Sequence, residues 1–105
     1  MIERIWHGWT TPEKADEYER LLREEIVPSF ADKDIDGYRG FRMLRRSHPE
    51  EVEFVTIMRF ESIDSVKEFA GERYEDAHVP PEAREVLARF DEHAQHYEVR
   101  EQVEY

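Results

Sequence analysis

The chain has 105 residues, enough for one domain with a single modest core and too few for two. Lys+Arg 15 against Asp+Glu 26 gives a net charge of −11, which repels phosphate backbones and anionic membranes and so excludes nucleic acid and membrane surfaces as expected partners. There is no cysteine, which excludes disulfides, thiolate metal sites and Cys nucleophiles and favours a cytoplasmic location.

The hydrophobic fraction of 39% separates this composition from that of a disordered chain despite its charge. No apolar run approaches the ~20 residues of a membrane span, and the N-terminus has no signal-like apolar segment. The acidity reads as a solvated surface.

Ile2–Trp9 is predicted as a strand, with Ile5, His7 and Trp9 on one face and Ile2, Trp6 and Gly8 on the other. Thr10-Thr11-Pro12-Glu13 signals a helix start. Thr11 is an N-cap before Pro12, or Thr10 and Glu13 form a capping box one residue earlier. Ala15, Tyr18, Leu21, Leu22 and Ile26 make an apolar helical stripe, and Pro28 predicts a kink or stop near Val27. Asp32–Gly37 is a turn.

Tyr38–Arg46 is a second strand, with Phe41 and Met43 opposite Tyr38 and Leu44; Ser47–Glu51 is a hairpin-length connection. Val52–Phe60 follows, and it is apolar on both faces: Phe54 and Met58 on one, Val55 and Ile57 on the other. Ser62 caps a short helix through Ile63, Val66, Phe69 and Ala70, which Gly71 ends. Glu72–Pro81 is a loop or lid, Glu82–Phe90 a helix, and His93–Glu101 a last strand packing through Tyr97 and Val99.

This order closes most simply as a ferredoxin-like α+β sandwich. It has a four-stranded antiparallel βαββαβ sheet, helices on one face, and the first and third strands in the middle. The other face would then expose Ile5, Trp9, Val55 and Ile57, more contiguous apolar surface than a soluble monomer usually shows. A homodimer packed sheet to sheet follows as an expectation.

Ile5-Trp6-His7-Gly8, Phe54–Ser62, Phe69-Ala70-Gly71-Glu72 and His96-Tyr97-Glu98-Val99 together resemble the antibiotic biosynthesis monooxygenase family of dimeric α/β barrels, over almost the whole chain. The resemblance implies a small cavity between sheet and helices in each subunit. It also implies oxygenation of a phenolic or polyketide-like substrate without metal or organic cofactor, the substrate carbanion passing an electron to O₂. Other members bind or degrade haem. The haem-degrading relatives use an Asn, a Trp and a His where this chain has Trp6, Phe60 and His78. Only the His matches, so haem degradation is not expected, although His78 remains a candidate haem ligand.

The candidate catalytic residues are His7 and His96, on strands expected to be neighbours. They are read either as a base near neutral pH or as paired structural histidines. Trp6, Phe54, Met58, Phe60, Tyr74 and His78 are the candidate substrate pocket, with Tyr74 a possible gate; the aromatic members serve equally as core. His93 and His96 form H-x-x-H, but on a strand they point to opposite faces, so no metal site is expected. Arg42, Arg45 and Arg46 make a local basic patch. The alternatives to an oxygenase are a haem- or small-ligand-binding module and a non-catalytic, stress-related dimer.

Overall fold

The computed structural model describes residues 1–105. Strand β1 (Ile2–Thr10) leads into α1 (Ala15–Leu21), a π-helical turn (Leu22–Ile26) and α2 (Val27–Asp32), which follow one another without a break. Then come β2 (Tyr38–Ser47), β3 (Val52–Phe60), α3 (Ile63–Ala70), α4 (Pro81–Val86), β4 (Arg89–Phe90) and β5 (Gln95–Glu98). The sheet runs β2-β3-β1-β4, and β5 pairs with β1 as well, so the two short strands together make the fourth position. Every pairing is antiparallel. This is the expected ferredoxin-like α+β sandwich.

The β1–β3 register, from Ile2 opposite Phe60 to Thr10 opposite Val52, fixes the two faces. Ile2, Arg4, Thr10, Val52, Phe54, Met58 and Phe60 face the helices and are buried. The core forms two clusters. One gathers Tyr18, Leu22, Val52, Phe54 and Leu87; the other gathers Ile2, Met58, Phe60 and Val66. No helix is long and apolar enough to cross a membrane.

The predicted bounds of β3 hold, as do both ends of α3. The Ser62 hydroxyl accepts the Ser65 N–H at 3.2 Å, and Gly71 stops the helix at φ +89°, a conformation that favours glycine. Pro28 does not stop the first helix. It stands in the first turn of α2, directly after the π-helical turn, where the ladder has already widened around its missing N–H.

Four expectations are corrected. The N-cap at Thr10 or Thr11 does not form: Thr10 belongs to β1 and its hydroxyl donates to the Val86 carbonyl at 2.6 Å, so the helix begins only at Ala15. Tyr38 lies on the helix side with Phe41 and Met43, because a register shift between Tyr38 and Gly40 inserts one residue. The helix predicted to Phe90 ends at Val86. From there Ala88 N–H donates to Trp9 O at 2.8 Å and Asp91 N–H to His7 O at 3.0 Å, serving the carbonyls along the free edge of β1. The last strand covers only Gln95–Glu98, and His93 makes an isolated bridge with Asp76.

Candidate functional site

A cavity of about 250 Å³ lies between the sheet and the helices, where the two core clusters part. Tyr18, Leu22, Ile26 and Phe30 make its outer wall; Arg4, Trp6 and Met58 its floor; Phe69 and the segment from Ala77 to Pro80 its rim. Trp6 is held in place by its indole N–H, which donates to Asp91 O at 2.8 Å. Its ring lies over Gly8, where a Cβ would come within 2.7 Å of it.

The polar groups on this wall are few: the basic side chains of Arg4, Lys33 and His78 and the hydroxyls of Tyr18, Ser29 and Thr56. Arg4 is 6% exposed on the inner face of β1. Its Nη1 donates to the Tyr74 carbonyl and to His96 Nε2 at 2.9 Å, and its Nη2 to the Asp76 carbonyl at 3.4 Å. All three partners are uncharged acceptors, and no carboxylate pairs with it. Burial pulls its pKa down to about 10, so it remains a cation at neutral pH.

Tyr18 is 1% exposed, and its ring packs edge-on against Phe54 at 4.9 Å. Its hydroxyl has no protein partner and is not sealed from the cavity it lines. Burial pushes the phenol far above its usual range, which leaves it a hydrogen-bond donor and not a base. At the mouth, Lys33 Nζ lies 4.4 Å from the centre of the Phe69 ring and donates to Phe69 O.

Of the residues expected to form a pocket, Trp6, Met58 and His78 line the cavity. Phe54 and Phe60 do not. Both are fully buried in the core, a correction that follows from their packing under Tyr18 and between Tyr38 and Phe69. Tyr74 stands behind the wall, its carbonyl on Arg4 and its ring edge-on to His96 at 5.1 Å.

The two candidate catalytic histidines are not brought together. His96 is opposite Arg4 in the β1–β5 register and shares its face. His7 lies on the other face, stacked on Trp9 at 6.0 Å with Nδ1 2.8 Å from Glu53 Oε2. Alternation along β1 separates them, since Arg4 and His7 are three residues apart. The basic patch divides the same way: Arg45 binds Asp16 at 2.8 Å on the helix side, while Arg42 and Arg46 follow Leu44 to the other face.

Arg4, Tyr18 and Lys33 were not singled out by the sequence. Arg4 carried a signal, a charge at the inward position between Ile2 and Trp6. Tyr18 read as one more member of the apolar stripe, and Lys33 fell in a turn.

No protein-family model and no curated protein matches the chain. Solved structures do. It superposes on Rv0793 of Mycobacterium tuberculosis with a TM-score of 0.63 at 18% identity, covering 98% of each chain. A point mutant of MhuD with two manganese protoporphyrin IX bound per active site gives a TM-score of 0.66 at 23% identity, covering 100% of both. A Bacillus cereus protein, provisionally described as an antibiotic biosynthesis monooxygenase, gives 0.63 at 17% identity over 99% of this chain and 94% of that one. The chain therefore has the ferredoxin-like α+β fold of these three proteins over its full length.

Proposed function

We propose that the chain is a cofactor-independent monooxygenase acting on a small phenolic or polyketide-like aromatic substrate, working as a homodimer joined through the open sheet face. The observation that carries this reading is Arg4, a buried guanidinium without an acid partner at the floor of an aromatic-lined cavity. A buried charge with only neutral partners is costly unless its counter-ion arrives with the ligand. A phenolate or enolate oxygen is such a counter-ion, and stabilising it lowers the pKa of the adjacent C–H.

In this reading the substrate ring lies against Trp6 and Phe69 with its oxygen on Arg4 and Tyr18. His78, the imidazole on the wall, takes the proton at Nδ1, its Nε2–H donating to the Ala70 carbonyl. The carbanion passes one electron to O₂, the resulting radicals combine, and the protonated hydroperoxide loses water. A methylene becomes a carbonyl, one oxygen atom entering the product and the other leaving as water. His96 acts through Arg4 and touches no substrate.

The test is oxygen uptake with anthrone-like and quinol substrates, with and without air. Consumption of one O₂ per quinone formed, abolished in Arg4→Gln, is the expected result. No uptake across the panel overturns the reading.

A second reading is haem binding, for which the porphyrin-bound MhuD structure gives a precedent. His78 supplies an imidazole, but its Nε2 lies 3.3 Å from the Ala70 carbonyl. The cavity of about 250 Å³ also falls below the ~300–1,000 Å³ that encloses drug-sized ligands, and a tetrapyrrole is larger than most of those. The residues present do not fit the group as arranged. Haemin titration is expected to leave the Soret band in place, and a displaced band lost in His78→Ala would reverse that conclusion.

A further inference from the structure

The chain carries 26 acidic residues and a net charge of −11, yet no Asp or Glu lines the cavity. The charged groups on its wall are Arg4 and Lys33, with His78 as the third basic side chain. Burial alone keeps most Asp and Glu off such a wall. The wall nonetheless holds two cations, which set a positive potential inside a negative molecule, and low-dielectric walls concentrate such a potential.

Both cations reach one ring. The Arg4 guanidinium carbon is 5.9 Å from the centre of Phe69 and Lys33 Nζ is 4.4 Å from it, which bounds their separation at about 10 Å. One is deep and the other is exposed at the mouth. Neither has an ion-pair partner, and the same is true of Lys14, Arg20, Arg42, Arg46, Arg59, Lys67 and Arg84; what sets Arg4 and Lys33 apart is that both line one cavity. Arg4 suffices for the single oxyanion of the reaction proposed above, and Lys33 offers a second positive position at the mouth.

We infer that the cavity selects an aromatic acid, a fused-ring phenol or quinol bearing a carboxylate, with the reacting oxygen on Arg4 and the carboxylate on Lys33 at the mouth. This rests on the reading that the cavity takes a flat aromatic ligand, and it adds the substrate's second charge. The ring spans the distance between the cations and lies along Phe69. The acidic exterior then disfavours adventitious binding of anions elsewhere on the molecule.

The experiment is calorimetric titration of the full chain with 6-hydroxy-2-naphthoate, whose hydroxyl and carboxylate lie at opposite ends of the fused ring, its neutral amide 6-hydroxy-2-naphthamide, and 2-naphthol. The naphthoate is expected to bind about tenfold more tightly than the amide at low salt, with the preference shrinking as salt rises. Lys33→Gln, a substitution at an exposed position that leaves the core untouched, is expected to remove most of that preference.

Equal binding of naphthoate and amide overturns the inference, and so does a preference that survives Lys33→Gln. Failure of all three to bind overturns it together with the ligand class. If the preference holds and no oxygen is consumed, the oxygenase reading fails and the aromatic-acid site stands.

Discussion

Arg4 and His96 face each other across β1 and β5, with the guanidinium Nη1 2.9 Å from the imidazole Nε2. A guanidinium can only donate, so Nε2 accepts and the imidazole is neutral with its proton on Nδ1. Burial, and then the charge of Arg4, hold the His96 pKa below its usual 6.5, and Glu75 opposes them more weakly. Acidification therefore acts on the residue that positions the cavity's deepest cation.

The sign of the pH effect follows from that shift. The unfolded chain takes up the His96 proton near pH 6.5 and the folded chain only at lower pH, so between the two values the unfolded state binds more protons. The contribution to stability is complete above pH 6.5 and is lost as pH falls toward the folded value. Thermal melts from pH 7.5 to 5.5 should show this decline in the wild type. It should be shallower in His96→Gln, whose amide oxygen can accept from Arg4 but does not titrate. Identical slopes would show that His96 is not held neutral.

Tyr18→Phe removes a hydroxyl that has no partner within the protein. Stability by urea unfolding should change by less than about 1 kcal/mol. Binding of a phenolate ligand should weaken roughly 10-fold, as expected for loss of one hydrogen bond to a charged acceptor. Unchanged affinity would place the ligand oxygen away from Tyr18.

Gly8→Ala tests the floor. The new Cβ would meet Trp6 Cη2 at 2.7 Å and Leu87 Cδ2 at 3.2 Å, so the indole must leave its place. The expected cost is about 1–3 kcal/mol, typical of overpacking, with a shifted tryptophan emission and weaker aromatic binding. Normal emission and affinity would mean that the ring is free to move without consequence.

The proposed dimer has its own test. Ile5, Trp9 and Val55 are only partly covered on the open face, and Leu44 beside Val55 is 44% exposed. Light scattering should give about twice the chain mass of 12.7 kDa, and Val55→Asp should return it to a single chain. A wild-type protein of single-chain mass at micromolar concentration removes the dimer.

Much of the architecture was legible because burial leaves a periodic mark. The doubly apolar β3 announced a central strand, and Ser62 with Gly71 bracketed α3 by capping chemistry alone. What failed to show was set by partners distant in sequence. Phe90 continued a helical period but pairs with Gly8 on β1, and the register shift near Arg39 that turns Tyr38 inward has no composition of its own. The site was harder still. Trp6, Met58 and His78 were identified by type, whereas Arg4 matters through the absence of a nearby acid, which the topology decides.

The π-helical turn has a consequence for evolution of the binding wall. Steps of four residues overshoot a 3.6-residue turn, so Tyr18, Leu22, Ile26 and Phe30 would spiral away from one another along a regular helix. The wider turn over Leu22–Ile26 takes up that excess, and all four meet the same hollow. Loss of a single residue there, restoring ordinary winding, would rotate Phe30 and Lys33 by roughly 100° while sparing the inner half. The position is thus a place where one insertion or deletion, with no change of side-chain chemistry, would re-aim the mouth at a different ligand.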